Sequence, residues 1–593
     1  MASTESDNGN TVIVGIDFGT TYSGVAFTWS KKIERMEVIS SWDAELHSSS
    51  DEEKTPTAIS FGSKRKVSWG YSIPLDAKQA RWFKLLLIDD KDLPADVRKS
   101  TKIKEARAYL KKHNKTPIAV IADFLRLLWN HCNQRITETV SRNLVNYSKF
   151  HIVITLPAIW PDYARGRMRE AVGQAGMLGE RVAGETTLSF ISEPEAAALA
   201  TLSDMEDRRD IEAGDSFVVV DCGGGTVDLI SYEVISTGPM VVRECVKGQG
   251  GLCGAVFVDE AFLKVLKQKF GGKAWDKMKA QTRCRLVHDD WEHGIKPTFN
   301  GQKQTWVINM PFECIDLKAI KAGFTLPKIT LTADDIRGAF DPTVEKIRAM
   351  VDEQVAAVKL KKEAGPKYVI MVGGFGRCKY LFTSLKEHFE DGIEVLQSRG
   401  SGPWTAICRG AVIHAANIQG LPTFSVDIQA RVARAKYGVP CNVEWCPETH
   451  DPRDKAWDED CQEWDARDQM EWFLKIGDDM STNKPVRFPF WSMYAAEEAT
   501  TTRLSETIYT SANSPSPKRL GDNNVVELCT ISWDTKLDIS SLPTFTNSLG
   551  KVFHELVFEV EMTCAGGSLD FAIYHNGKRQ GSKNVVVDYE TRS

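Results

Sequence analysis

The 593-residue sequence has no apolar run long enough to cross a bilayer, and its first ten residues lack the basic start and apolar core of a secretory signal. Its 13 cysteines form no repeated Cys-x-x-Cys unit, and an odd number suits reduced thiols better than a disulfide framework. No lysine- or arginine-rich tract accompanies the net charge of −6. These absences predict a chain of the cytoplasm or nucleus whose partners are neither membranes nor nucleic acids.

Two common phosphate-binding motifs are also missing. No Gly-x-x-x-x-Gly-Lys-Ser/Thr run occurs, and Gly248-Gln249-Gly250 meets Cys253 where a dinucleotide fingerprint requires a third glycine. The sequence therefore excludes a P-loop and a Rossmann site.

Two other glycine-rich segments, each after an apolar strand-like run, combine a carboxylate, a glycine turn and a hydroxyl. They are Asp17-Phe18-Gly19-Thr20-Thr21 and Asp221-Cys222-Gly223-Gly224-Gly225-Thr226-Val227-Asp228. Glycine lets backbone N–H groups approach phosphate oxygens, threonine adds donors, and aspartate accepts hydrogen bonds from the water shell of Mg²⁺. One such segment alone is typical of an ordinary hairpin turn. The pair predicts a nucleoside triphosphate held between two related lobes.

The pair resembles the superfamily of actin, the sugar kinases and the 70-kDa heat-shock chaperones. The string Gly15-Ile16-Asp17-Phe18-Gly19-Thr20-Thr21-Tyr22-Ser23 narrows the resemblance to the chaperone branch. Further matches follow in the family's order at residues 191–198, 250–251 and 369–377. The resemblance implies an α/β two-lobed actin-like ATPase fold with duplicated ribonuclease-H-like lobes, residues 11–215 and 216–420, and ATP or ADP with Mg²⁺ between them.

The resemblance also implies the roles of individual residues. The catalytic group is Asp17, Lys84, Glu193, Asp221 and Asp228. The four carboxylates of this group would hold Mg²⁺ through water. The nucleotide-binding group is Gly19, Thr20, Thr21, Tyr22, Gly223, Gly224, Gly225, Thr226, Gly250, Gly251, Glu292, Lys296, Gly373, Gly374 and Arg377.

Several of these residues have a purely structural alternative. Glu193 precedes a proline and could complement a helix dipole, whereas Lys84 equally suits a solvated helix face. Glu292 and Lys296 have the spacing of a surface i,i+4 pair. The threonines could bond their own turns, and the double glycine after residue 372 could serve tight helix packing. Cys222 is either an oxidation-sensitive group in the second turn or a small buried side chain.

Between the motifs, the pattern alternates strands and helices, as expected of α/β layers. Periodicity predicts helices over 117–133, 163–175 and 336–358, the last opened by a capping box from Thr332 to Asp335. It predicts strands over 151–157 and 369–372. Residues 1–10 are predicted to be disordered, and residues 48–54 to form a solvated loop.

Residues 421–593 are predicted to form a β-rich domain, because short alternating runs are joined by Gly566-Gly567 and Asn576-Gly577. Within it, Trp457, Trp464 and Trp472 are spaced for one face of a helix. These rings would either anchor a surface insertion or dock a partner.

The C-terminal part departs from the chaperone pattern. Residues 422–428 lack the family's leucine-rich acidic linker, residues 590–593 lack its acidic tail, and no helical lid is expected after the β-rich domain. Leu252 and Trp404 replace acidic residues beside the cleft. The chain thus resembles the atypical, lidless heat-shock-70-like group.

The resemblance predicts an ATP-binding, weakly hydrolysing chaperone. Closure of its lobes on nucleotide would act on a β-rich module that binds a client or partner protein; its co-chaperones stay open. The alternatives are a nucleotide-sensing scaffold without useful hydrolysis and a small-molecule kinase of the same superfamily.

Overall fold

The protein, in a computed structural model, divides into two compact units, Met1–Val242 with Gly248–Asp427, and Arg243–Lys247 with Ile428–Ser593. The structure describes residues 10–44, 52–62, 67–74, 77–93, 95–158, 160–161, 163–205, 210–315, 328–389, 392–397, 402–421, 426–433, 435–481, 485–496, 501–502, 504–511, 515–522, 524–533, 537–565 and 568–585. Within these ranges, no helix is both long enough and apolar enough to cross a membrane.

The N-terminal lobe is built on a mixed sheet. Its strands are β1 (Thr11–Phe18), β2 (Tyr22–Trp29), β3 (Glu37–Val38), β4 (Lys54–Pro56), β5 (Ala58–Phe61), β6 (Val67–Trp69), β7 (Ala80–Arg81), β8 (Lys149–Leu156) and β9 (Thr187–Ser192). The main sheet has the order β3-β2-β1-β8-β9, with β4 also paired to β2, and β5, β6 and β7 form a separate small sheet. β1 and β2 are an antiparallel hairpin, while β8 pairs with β1 and β9 with β8 in parallel.

The second lobe repeats this plan. Its strands are β10 (Ser216–Cys222), β11 (Val227–Thr237), β12 (Met240–Gly251), β13 (Thr305–Asn309), β14 (Lys328–Thr332), β15 (Tyr368–Val372) and β16 (Glu394–Gln397). β10 and β11 form an antiparallel hairpin, β15 joins β10 in parallel, and β16 joins β15 in parallel. The order β11-β10-β15-β16 therefore matches β2-β1-β8-β9, and the predicted pair of related α/β lobes is confirmed.

Helices cover these sheets. In the first lobe they are α1 (Ala95–Arg98), α2 (Thr101–Lys112), α3 (Pro117–Val140), α4 (Arg142–Asn146), α5 (Tyr163–Gln174) and α6 (Glu193–Asp204). In the second lobe they are α7 (Ala255–Phe270), α8 (Gly272–Lys277), α9 (Ala280–Arg285), α10 (Lys296–Thr298), α11 (Ala333–Lys362) and α12 (Lys379–His388). The last helix, α13 (Gly402–Ile418), follows the second lobe in sequence but packs mainly on α6, β1, β2 and β8 of the first lobe. A π-helical segment spans Leu286–Ile295, and short 3₁₀ turns include Phe83–Leu87 and Phe375–Arg377.

Local sequence explains where several helices begin. The Thr116 hydroxyl accepts a hydrogen bond from Ala119 N–H ahead of Pro117, the first residue of α3. Thr332 and Asp335 form the predicted capping box of α11. The predicted helices α3, α5 and α11 and the strands β8 and β15 are thus confirmed.

Helix α13 packs tightly within the first unit at two glycines. A Cβ atom built on Gly410 would lie 1.7 Å from the Ala196 carbonyl oxygen of α6. One built on Gly15 of β1 would lie 2.3 Å from the Cys408 carbonyl oxygen of α13. Because neither position has room for a side chain, glycine allows α13 to lie directly on the elements that carry Asp17 and Glu193.

The C-terminal unit is almost entirely β-structure. Its strands are β17 (Val426–Val432), β18 (Lys436–Glu444), β19 (Lys455–Asp458), β20 (Glu463–Leu474), β21 (Asp479–Ser481), β22 (Val486–Ala495), β23 (Thr501–Thr502), β24 (Ser505–Ser511), β25 (Val526–Ser532), β26 (Leu537–Asp538), β27 (Thr544–Thr546), β28 (Val552–Ala565), β29 (Ser568–His575) and β30 (Lys578–Val585). One antiparallel sheet has the order β19-β20-β18-β24-β25, and the other has the order β22-β28-β29-β30 with β27 on β28. Val439, Ile508 and Ile531 of the first sheet share a core with Phe558 and Phe571 of the second. The predicted β-rich region is confirmed.

Two sequence-based expectations are wrong. The tryptophan segment is a β-hairpin, because Trp457 of β19 lies directly opposite Trp464 of β20, with ring centroids 5.2 Å apart. Trp472, further along β20, is buried. Their spacing spans a hairpin turn, so it mimics a helical period. Lys54 does not belong to a solvated loop, since it opens β4 and is 4% exposed.

Some predictions fall on residues outside the described ranges. They are the disordered N terminus at residues 1–9, the loop residues 48–51, the linker residues 422–425, the Gly566-Gly567 turn and the C-terminal residues 590–593. The predicted domain boundaries at 215/216 and 420/421 stay predictions.

Candidate functional site

The turn between β1 and β2 is held from one side by Thr57. The Thr57 hydroxyl donates to the Gly19 carbonyl at 2.8 Å, and the Thr57 N–H donates to the Thr21 carbonyl at 2.8 Å. In a trans peptide the carbonyl of one residue and the N–H of the next point in opposite directions. The N–H groups of Thr20 and Tyr22 therefore point away from Thr57.

The turn between β10 and β11 is held in the same way by the start of α7. Backbone N–H groups of residues 254–256 donate to the carbonyls of Gly223, Gly224 and Gly225 at 3.1–3.2 Å. By the same peptide geometry, the N–H groups of Gly224, Gly225 and Thr226 point away from α7. The turn therefore offers a row of donors on its other side.

The two turns face each other across the lobes. A Cβ atom built on Gly224 would lie 2.0 Å from the Thr21 hydroxyl oxygen, and one on Gly225 would lie 3.2 Å from the Thr20 Cβ. A residue other than glycine would therefore collide with the opposite turn. The structure thus brings together the two segments that the sequence singled out.

The four predicted carboxylates lie beside these turns and are all buried. Asp17 lies near the end of β1, and Asp221 of β10 is directly opposite Asp228 of β11. Glu193 is the first residue of α6, whose N-cap hydroxyl, that of Ser192, accepts a hydrogen bond from a backbone N–H. Strand ends and a helix start therefore place all four at the same end of the lobes.

Two buried lysines enter this carboxylate cluster. Lys84 Nζ lies 2.5 Å from a Glu193 carboxylate oxygen, and its side chain is 1% exposed. The Lys84 ammonium also lies 5.8 Å from the Phe18 ring centroid and 5.2 Å from that of Trp160. The alternative of a solvated helix face is therefore wrong for Lys84. Lys54 forms a second buried ion pair, with Asp17.

The surroundings of the cluster shift the pKa values of its carboxylates. Burial raises the pKa of Asp221 well above its usual range, and the negative charges of Glu193, Asp228 and Asp17 raise it further, while Lys54 opposes them. Burial also raises the pKa of Glu193, against the effect of Lys84. The Asp221 Oδ1 atom is buried and has no hydrogen-bond partner among the described residues. Over the same part of the chain, no group of three or more His, Cys, Asp or Glu side chains is arranged to bind a metal directly.

The double glycine after β15 borders the cluster. Gly373 has a φ of +83°, and a Cβ atom there would lie 2.4 Å from Asp221 Oδ1. One on Gly374 would lie 3.3 Å from the indole nitrogen of Trp404. The Arg377 guanidinium lies 5.6 Å from the Trp404 ring centroid, and the Tyr22 ring meets that indole edge-on at 5.9 Å. Trp404 of α13 therefore links the first turn to the Gly373-Gly374 turn.

Glu292 and Lys296 form an ion pair in which the lysine is buried and the glutamate is half-buried, so it is not the solvent-exposed surface pair of the alternative interpretation. The Lys296 ammonium donates to Glu292 at 2.8 Å and to Asp259 of α7 at 2.8 Å. Burial lowers the pKa of Lys296, but the charges of Asp259 and Glu292 and their hydrogen bonds more than offset it, so the net shift is upward. Burial raises the pKa of Tyr22, and the Glu292 charge raises it further. Lys296 acts in the opposite direction on Tyr22, so the two charges of the pair partly cancel there.

The structure also locates the second glycine pair and Cys222. Gly250 and Gly251 end β12, and a Cβ atom on Gly251 would lie 3.0 Å from the Met350 sulfur. Cys222 is fully buried, and burial raises the pKa of its thiol well above the usual value. The small buried side chain is therefore the interpretation of Cys222 that the structure supports.

Comparison with known proteins identifies the family of this arrangement. A family model described as Hsp70 protein matches residues 84–429. The chain belongs to the Hsp70 family. A second model, described as a domain of unknown function, matches residues 431–589.

The relatives agree with this assignment. Heat shock 70 kDa protein 12A of Mus musculus is 25% identical over 539 residues, which cover 74% of this chain and 76% of the relative. Heat shock 70 kDa protein 12B of Homo sapiens is 25% identical over 558 residues, covering 80% and 77%. Chaperone protein DnaK of Thermosipho africanus is 26% identical over 411 residues, covering 69% and 59%. The prediction of an atypical Hsp70-like protein is confirmed, and the chain is a nucleotide-binding member of the family.

Three residues of the site escaped the sequence analysis. Lys54 follows the acidic run Asp51-Glu52-Glu53, which favours a loop, whereas the strand-like residues that begin at Thr55 are the signal that places it in a strand. Thr57 holds the first turn, and Asp259 completes the Glu292–Lys296 pair. No local sequence motif marks Thr57 or Asp259, because the roles of these residues arise from contacts between segments that are distant in the sequence.

Proposed function

We propose that this Hsp70-like chain binds ATP and ADP between the two turns and hydrolyses ATP slowly. The observation that carries the proposal is the pair of facing turns whose carbonyls are bound on the outside, by Thr57 and by the start of α7. Their N–H groups are left for the phosphates. The glycines of the second turn and the hydroxyls of Thr20, Thr21 and Thr226 would complete the phosphate contacts.

Mg²⁺ fits the carboxylate cluster as a water-bridged ion. The buried Asp221 Oδ1 atom lacks a donor among the described residues, and coordinated waters would supply one. Asp17, Glu193, Asp221 and Asp228 would then hold the ion through its water shell. Bound there, it would neutralise charge that develops on the transferred phosphoryl group.

Lys84 and Glu193 are the proposed catalytic pair. The Lys84 ammonium is held by a carboxylate and two aromatic rings, so its position is fixed before nucleotide arrives. It would orient the attacking water and the γ-phosphate, while Glu193 would accept a hydrogen bond from that water.

The nucleoside would lie between the Gly373-Gly374 turn and the Glu292–Lys296 pair. Arg377 would stack on the base, and the glycines would admit the ribose and base close to the backbone. Trp404 already lies against Gly374 and Arg377, so it would form one wall of this pocket.

The β-rich unit is the proposed site for a client or partner protein. Trp491 of β22 is 63% exposed and lies opposite Val557 of β28, which is 51% exposed. Nearby Phe545 is also exposed, and these side chains line one cavity of about 520 Å³. Apolar side chains exposed together are typical of protein contact surfaces. We place this activity in the cytoplasm or nucleus.

A nucleotide-sensing scaffold without useful turnover is the second candidate. The Lys54–Asp17 ion pair favours it, because a carboxylate that would organise metal-bound water is already engaged. Both candidates require nucleotide binding, and they differ only in phosphate release.

Turnover assays on the full chain separate them. Magnesium-dependent phosphate release that disappears in Asp17→Asn and Glu193→Gln supports hydrolysis, whereas ADP and ATP binding without release supports the scaffold. A small-molecule kinase would instead transfer phosphate to an added metabolite. Failure of both nucleotides to bind in calorimetry would refute all three functions.

A further inference from the structure

Lys54 is a lysine whose burial is built into the first lobe. It lies directly opposite Gly24 in the β2–β4 pairing, and its side chain is 5% exposed. A Cβ atom on Gly24 would lie 2.8 Å from Lys54 Cγ and 3.2 Å from its Cε. The absence of a side chain at Gly24 therefore creates a channel through which the Lys54 side chain reaches Asp17. The Tyr71 hydroxyl donates to the Lys54 carbonyl at 3.2 Å and fixes the backbone at the start of this channel.

The positive charge of Lys54 acts on most of the carboxylate cluster. It is paired with Asp17 and also lowers the pKa values of Glu193 and Asp221, against the burial that raises them. With Lys84, two ammonium groups thus face four carboxylates beside the phosphate turns. A cluster of carboxylates alone would repel a polyphosphate, since like charges at short range in a poorly solvated site interact strongly.

We propose that Lys54 is a resident cation of the phosphate site, which neutralises Asp17 and gives this chain nucleoside-diphosphate binding that depends little on Mg²⁺. The inference rests on the proposed nucleotide site and deepens it. An ammonium group has three donor hydrogens. Among the described residues, the side-chain hydrogen bond of this ammonium group is to Asp17, so its other donors would serve a phosphate oxygen or its hydration water.

The competing explanation is that Lys54 only balances the buried charge of Asp17. Removing one partner of such a pair destabilises a fold without touching ligand specificity. The two explanations therefore differ in the magnesium dependence of nucleotide affinity rather than in stability.

The test is calorimetric titration of the full chain with ADP, in excess Mg²⁺ and in EDTA. For the wild-type chain, we expect EDTA to weaken the affinity by less than about threefold. For Lys54→Gln, whose amide still donates to Asp17 but carries no charge, we expect EDTA to weaken it by about thirtyfold or more. Lys362→Gln is the matched control, because Lys362 forms an ion pair with Glu233 elsewhere in the second lobe. It should behave as the wild type.

Each result decides the matter. The inference is overturned if EDTA weakens the ADP affinity of the wild-type chain by about thirtyfold or more. This outcome needs no variant, so it applies even if Lys54→Gln fails to fold. Equal magnesium dependence in wild type and Lys54→Gln also overturns it, while nucleotide binding itself stands. Absence of ADP binding in both buffers removes the proposed function and the inference with it.

Discussion

Replacing Asp221 by asparagine should stabilise the nucleotide-free chain at alkaline pH. Asp221 is 3% exposed, its Oδ1 atom has no hydrogen-bond partner among the described residues, and three further carboxylates raise its pKa together with burial. An ionised Asp221 is therefore a buried charge with little compensation. Asparagine has the same shape, carries no charge, and brings an N–H₂ group that can donate to the neighbouring carboxylates.

The sign follows from proton linkage. Because the pKa of Asp221 is raised in the folded chain, the folded state keeps a proton that the unfolded state has released above the ordinary aspartate range. The wild-type chain thus loses stability as pH rises from that range through the folded pKa. The variant has no such proton, so its advantage grows with pH. Leaving a buried polar group uncompensated costs about 1–3 kcal/mol, and we expect a gain of that order at about pH 8.

The measurement is thermal unfolding of both chains in EDTA without nucleotide, at about pH 5 and about pH 8. Asp221 belongs to the larger unit, Met1–Val242 with Gly248–Asp427, and for a unit of this size each kcal/mol corresponds to a shift of about 1 °C in the midpoint. Asp334→Asn is the matched control, because that side chain is 87% exposed. An Asp221→Asn chain no more stable than wild type at the higher pH would refute the reasoning, as would an equal gain at both values.

Three further outcomes are expected. Gly224→Ala places a methyl group against the opposite turn, so it should cost about 1–3 kcal/mol of stability and weaken the ADP binding measured by calorimetry. The control is Gly272→Ala, whose methyl group would have open space around it and should cause neither effect. Lys84→Met leaves the buried Glu193 carboxylate without its cation, so thermal unfolding should report a stability loss of about 3–5 kcal/mol. Phosphate release from ATP should also stop, and unchanged release would remove Lys84 from the proposed catalytic pair. Mass spectrometry after brief iodoacetamide treatment of the native chain should find Cys446, whose pKa is lowered by hydrogen bonds, alkylated and the buried Cys222 unmodified. Rapid labelling of Cys222 would mean that the second turn opens readily.

The parts of the fold that depend on residues close together in the sequence were predictable. Each turn follows an apolar strand and carries its glycines and hydroxyls within a few positions, so the local sequence is sufficient. The start of α11 is equally local, because Thr332 and Asp335 are three residues apart and bond each other. The tryptophans show the limit of this approach. A spacing that suits a helix also arises when Trp457 and Trp464 face each other across a hairpin, and periodicity alone cannot separate the two.

The charge balance of the site was not predictable from local pattern, because its ion pairs join distant segments. Lys54 is 37 residues from Asp17, and Lys84 is 109 residues from Glu193. From sequence alone, a lysine is expected to be solvated, because burying an ammonium group is costly unless it pairs with a buried carboxylate. Whether such a partner exists depends on tertiary features such as the missing side chain at Gly24, which opens the channel for Lys54. The sequence therefore identifies the groups that we propose contact phosphate, whereas the buried lysines that pair with the carboxylates of the site are a property of the folded lobes.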